Sequence, residues 1–127
     1  MYMGKKILVV EDDTDLLGIY AEILQLNGYD VITASNGQEA ILAFKNNSPN
    51  LVVMDGDMPI LDGFEAFSKI KEINKNANVI IVTGYSDFDK KSKIALQNGL
   101  ISIISKPISL EMLLDIAKKY CSEIVMK

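Results

Sequence analysis

The sequence predicts an α/β fold: a single doubly wound (βα)5 domain with a parallel five-stranded sheet and helices on both faces. Two observations carry this expectation. Five short, β-branched apolar runs recur along the chain, and stretches with helical spacing separate them. The connections are only a few residues long. Runs that are apolar on both sides suit parallel strands covered by helices above and below.

The strands are expected at Ile7–Val10, Val31–Ala34, Leu51–Met54, Val79–Val82 and Ile101–Ile104. The first helix presents Leu16, Tyr20, Ile23 and Leu24 on one face, and the second presents Ala40, Ile41 and Phe44. Phe64, Phe67, Ile70 and Ile73 mark the third. The fourth, over Asp87–Asn98, has only Ile94, Ala95 and Leu96 as an apolar cluster. Leu110, Leu113, Ala117, Tyr120 and Ile124 mark the fifth. Asn27-Gly28 and Asn98-Gly99 read as helix stops, and Asp62 and Ser109 as N-caps. The flavodoxin-like strand order 2-1-3-4-5 is the expected one for five such strands. No repeat, linker or low-complexity segment interrupts residues 1–127, so the whole chain reads as one domain.

Composition narrows the chemistry. The chain has 127 residues, 49% of them hydrophobic and 24% charged, which suits one compact core. Its net charge is −4 and every one of its 13 basic residues is lysine. Without arginine, direct nucleic-acid reading by this domain is not expected. One cysteine, Cys121, excludes an internal disulfide and a cysteine zinc site. With no histidine, a Ser-His-Asp triad, histidine metal ligands and a phosphohistidine carrier are excluded as well. Oxygen ligands remain, and these suit hard cations. No apolar run reaches the roughly 20 residues of a membrane helix. Met1–Lys6 leads into a strand too soon for a signal peptide, so a cytoplasmic location is expected.

In open parallel sheets, ligands bind beyond the carboxyl ends of the strands, where the strand order reverses. Strand one ends in Glu11-Asp12-Asp13, strand three in Asp55-Gly56-Asp57, strand four in Thr83-Gly84, and strand five in Ser105-Lys106-Pro107. Strands one and three are neighbours in the expected order, so their acids meet in one crevice. Clustered carboxylates repel, and Lys106 offsets only part of that charge. A divalent cation among hard oxygens is the economical answer, with Mg²⁺ favoured by a small, wet crevice. Metal, carboxylate, hydroxyl and ammonium together suit phosphoryl transfer, with Asp55 as nucleophile and Thr83 and Lys106 meeting the phosphoryl oxygens. Asp13 and Asp57, taken alone, read equally well as solvated or helix-capping acids.

Four segments in order, Ile7–Asp13, Leu51–Gly63, Val79–Thr83 and Ser105–Pro107, resemble the receiver domain of two-component response regulators, and the similarity runs over essentially the whole chain. The resemblance implies that Glu11, Asp12, Asp55 and the backbone carbonyl of Asp57 hold Mg²⁺. It implies that Asp55 accepts a phosphoryl group from a histidine kinase or a histidine phosphotransfer protein, that Thr83 and Lys106 contact it, and that Lys106-Pro107 is cis. It implies a signalling domain with only self-catalysed phosphoryl acceptance and slow autodephosphorylation, not an enzyme. Its partner would be an output domain or an effector protein, as a monomer or a phosphorylation-linked dimer. The output face would comprise helix four, strand five and helix five, about Asp87–Asn98, Ile101–Ile104 and Ser109–Lys127. Thr83 and residue 103 would form the switch. Here the sequence departs from the pattern: receivers commonly carry Tyr or Phe where this chain has Ile103, and an aliphatic side chain cannot make the same rotamer gate. Gly56 is small where many receivers have an apolar residue, which is expected to loosen the loop. Tyr85 reads as a solvated loop tyrosine, Cys121 as packed, and Lys90, Lys91 and Lys93 as a solvated face.

Two other readings share single motifs. A haloacid-dehalogenase-type phosphatase also uses an Asp-x-Asp motif, but there it opens the fold, whereas here the acidic pair comes first. A flavodoxin-like nucleotide binder needs backbone N–H groups after strand one, where Glu11-Asp12-Asp13 would repel a phosphate.

Overall fold

The computed structural model describes residues 5–84 and 90–121. Five strands, β1 (Lys6–Val10), β2 (Asp30–Ala34), β3 (Leu51–Asp55), β4 (Val79–Thr83) and β5 (Ser102–Ser105), alternate with five helices. These are α1 (Thr14–Leu26), α2 (Gly37–Asn47), α3 (Gly63–Ile73), α4 (Lys90–Gln97) and α5 (Leu110–Tyr120). All strand pairs are parallel, and the sheet order is β2-β1-β3-β4-β5, as the sequence predicts.

Side-chain alternation divides the core in two. Leu8, Val10, Val52, Met54 and Ile81 face one side of the sheet, packed with Phe44, Phe67 and Ile70. Ile7, Val9, Val53, Ile80 and Val82 face the other, packed with Tyr20, Leu24, Leu113 and Ala117. β3 and β4 are buried at every residue, whereas β2 and β5 are only half-buried. The two differ from the sequence reading because each is an edge strand with one neighbour, and Asp30, Thr33, Ser102 and Ser105 fit that position.

The helix ends follow local chemistry. Asp62 and Glu65 form a reciprocal capping box at the start of α3, and the Ser109 side chain accepts from Met112 N–H at α5. Asn36 caps α2 by accepting from Glu39 N–H at 2.8 Å, a role the sequence reading did not assign. Gly28 and Gly99 have φ of 93° and 99°, the left-handed region a helix stop uses.

Three helical faces differ in detail. On α3, Ala66 is buried with Phe67 and Ile70, while Ile73 in the last turn is partly exposed. On α5, Leu113 and Ala117 are buried and Leu110 is exposed. On α4, Ala95 is buried, but Ile94 and Leu96 are close to half exposed, 48% and 45%. Tyr85, the expected start of the fourth helix at Asp87 and the expected continuation of the fifth helix to Ile124 fall outside the described residues.

Cys121 is buried as expected, and that burial pushes its thiol up to about 11, against a small opposing pull from Lys5. Among the described residues no helix is long and apolar enough to cross a membrane.

Candidate functional site

The site lies at the carboxyl edge of the sheet, where β1, β3, β4 and β5 end side by side. β1 delivers Glu11 and Asp12, β3 delivers Asp55, β4 delivers Thr83, and Lys106 directly follows β5. Backbone bonds fix the register of these ends. Glu11 N–H donates to Ala34 O, Gly56 N–H to Val82 O, and Lys106 N–H to Thr83 O, at 3.1, 2.9 and 2.9 Å. Residues far apart in sequence are thereby held on one rigid rim.

Asp55 is the centre. Its side chain is 1% exposed; Oδ1 accepts the Asp57 backbone N–H at 3.0 Å, and Oδ2 faces Lys106 Nζ at 3.0 Å. Oδ2 is fully buried, and apart from this ion contact it accepts no hydrogen bond of regular geometry. Lys106 Nζ also lies 3.6 Å from Glu11 Oε1. Burial alone would lower the Lys106 ammonium, but Asp55 and Glu11 together outweigh it and raise it above its ordinary value. Lys106 therefore stays charged.

Glu11 is also buried, and its carboxyl is raised from 4.5 to about 7. Burial is the main cause. The Asp13 N–H bond opposes it, the neighbouring Asp55 carboxylate adds to it, and Lys106 opposes it weakly. Single oxygens of Glu11, Asp12 and Asp55 lie within 4.8 Å of one another. One lysine cannot neutralise three acids. Three converging carboxylates, one with a buried oxygen that only Lys106 faces, are a donor set that suits a hard cation bound through oxygen.

The remaining residues fall into place around this centre. Thr83 is buried, 4% exposed, at the end of β4. Gly84 has open space where a side chain would be, in keeping with room above the rim. Asp57 contributes through its backbone N–H, and its side chain is exposed. Asp13 points away to cap α1, accepting from Asp15 and Leu16 N–H at 3.1 Å each, which settles its capping reading. Ile103 is half-buried and packs with the α2–α3–α4 side of the core. Lys106-Pro107 is cis.

Two sequence expectations need correction. Gly56 does not loosen the loop: a Cβ there would meet Ile81, Thr83 and Phe64 at 2.9 to 3.3 Å, so the absent side chain permits close packing. Lys91 is exposed but not merely solvated, since it pairs with Asp62 Oδ2 at 2.6 Å and ties α4 to the cap of α3.

Tyr20 is a neighbour the sequence reading placed only in the core. Its phenol is raised first by burial and then by the Glu11 charge, so it sits within electrostatic reach of the site. Its helical spacing gave no signal of this.

Residues 7–118 match the response regulator receiver domain family. The chain belongs to that family. It is 32% identical over 120 residues to sporulation initiation phosphotransferase F of Bacillus subtilis, covering 93% of this chain and 94% of that protein. Among solved structures, a CheY-like receiver domain protein from Methanospirillum hungatei superposes with a TM-score of 0.86 at 32% identity, covering 92% and 93% of the two chains. A chain of the CheX-CheY-BeF3-Mg²⁺ complex from Borrelia burgdorferi superposes with a TM-score of 0.81 at 29% identity, covering 91% of this chain and 87% of that one. This protein is thus a receiver domain of two-component signalling with the five-stranded CheY-like fold. Receiver domains bind Mg²⁺ through acidic residues, and the Glu11-Asp12-Asp55 cluster fits that use.

Proposed function

We propose that Asp55 is the phosphoacceptor, taking its phosphoryl group from the phosphohistidine of a histidine kinase or a histidine phosphotransfer protein. The observation that supports this most is the buried Asp55 Oδ2, held 3.0 Å from Lys106 Nζ and otherwise underbonded. An Asp55 carboxylate oxygen bonds to phosphorus as the phosphorus–nitrogen bond of the donor breaks, and the imidazole leaves with that electron pair. Lys106, kept charged by its two carboxylates, meets the negative charge on the transferring oxygens, and the Thr83 hydroxyl donates to one of them. The Asp57 N–H bond holds the second carboxylate oxygen and so orients the first. Glu11, Asp12, Asp55 and the Asp57 carbonyl would hold Mg²⁺, whose charge supplies further neutralisation when bound.

The match to the receiver family supports a signalling role rather than turnover of a substrate. Small-molecule donors provide the test. Incubated with acetyl phosphate and Mg²⁺, the native chain is expected to gain one phosphoryl group by intact mass, and none in a chelator. A chain that stays unlabelled in Mg²⁺ sinks the proposal.

Lys106→Met removes the cation but keeps the length of the side chain. Uptake is expected to slow about 100-fold, the usual scale for losing one charge-stabilising donor. The rate in acetyl phosphate, followed by mass, checks it.

A further inference from the structure

The residue after the acceptor opens a route from the site to α4. A Cβ on Gly56 would lie 2.9 Å from Ile81 Cγ2, 3.2 Å from Thr83 Cβ and 3.3 Å from Phe64 Cε2. Thr83 ends β4 and Phe64 lies in the first turn of α3, yet both crowd the same point. A Cβ at 56 would press on all three, Ile81 most closely, and glycine lets them pack together. The Phe64 ring also lines a cavity of about 180 Å³ between α3 and α4, together with Phe67, Lys91, Ile94 and Ala95.

We propose that Phe64 is a positioning residue that carries the state of Thr83 to α4, with its ring set between the phosphoacceptor loop and the α3–α4 cavity. The inference rests on Asp55 being phosphorylated, which draws the Thr83 hydroxyl toward the phosphoryl group. Movement of the Thr83 side chain alters the packing at Gly56, and a neighbour must follow, because dense interiors lose contact energy across even small gaps. Ile81 cannot follow: it is fully buried in β4, between β3 and β5. Phe64 can. It is half-buried and has the cavity beside it. Its shift changes the surface on which Ile94 and Ala95 rest, and the Lys91–Asp62 pair binds α4 to the same end of α3. Ile103 cannot provide an aromatic ring for such a relay, whereas Phe64 can.

The test uses the full chain with beryllofluoride and Mg²⁺, following hydrogen exchange over residues 90–97, with acetyl phosphate labelling run in parallel. Native protein is expected to change exchange in α4 by about five-fold or more. Phe64→Leu keeps an apolar residue without the reach of the ring; it is expected to take up the phosphoryl group normally but to cut the α4 response below about two-fold. Phe64→Tyr, which restores the ring, is expected to restore the response. Gly56→Ala attacks the same contact from the other side and is also expected to blunt it. A Phe64→Leu or Gly56→Ala chain that responds in α4 as the native chain does overturns the inference alone. A native chain that takes up no phosphoryl group overturns the acceptor assignment and the inference with it.

Discussion

Asp55→Asn is expected to abolish phosphoryl uptake entirely, while the fold survives. An amide is a poor nucleophile, so no residual transfer at this position is expected. The substitution conserves volume in a site where the side chain is 1% exposed, and the amide oxygen can still accept the Asp57 N–H. Its electrostatic effect should be just as clear. Removing the Asp55 charge takes away one of the influences that raise Glu11, so Glu11 titrates closer to its ordinary value, although burial still holds it up. Mg²⁺ affinity should fall at least about 10-fold, because one of three charged ligands is gone. Intact mass, a carboxyl titration by NMR and Mg²⁺ calorimetry check these in turn. Uptake of a phosphoryl group by Asp55→Asn would place the acceptor elsewhere.

The second large effect is a pH dependence whose sign depends on the ion. Without Mg²⁺, folding raises the Glu11 carboxyl from 4.5 to about 7. The folded state then binds more protons than the unfolded one between those values. The contribution of Glu11 to stability is therefore fully present below about 4.5 and is lost as the pH rises through about 7. In chelator the loss shows as a lower melting temperature at pH 8 than at pH 5.5. Coordination of the carboxylate removes the slope, so Mg²⁺ should stabilise the protein far more at pH 8 than at pH 5.5 and should release a proton near neutrality. Melting curves in chelator and in Mg²⁺ at both pH values test this. Glu11→Gln, which cannot titrate, is expected to flatten the curve in chelator; an unchanged slope in that variant would assign the effect to another group.

Most of the fold was legible because its signals are local. The β-branched runs, the Asn-Gly stops and the Asp62 and Ser109 caps each act within a few residues; right-handed crossovers leave few strand orders, and the flavodoxin-like order among them comes by analogy with similar folds. The site was legible for a related reason: acids placed directly after β1 and β3 converge once those strands are neighbours. What escaped depends on side-chain packing across the sheet. Nothing local to Gly56 says that Phe64 and Thr83 press on it, and nothing local to Tyr20 says that its phenol lies near Glu11. The exposure of Ile94 and Leu96 was equally hidden, since an apolar triplet reads alike whether one or all of its members are covered. Lys91 needed the α3 cap as a partner 29 residues away.

The burial of the lone thiol has a practical consequence. With its thiol pushed up to about 11 and packed inside, Cys121 gives the native protein a surface that maleimide and iodoacetamide reagents should ignore. A cysteine introduced at an exposed position such as Lys93 would then be the one reactive handle. A fluorophore or spin label attached there would report on α4 without background, and without first engineering the native cysteine away.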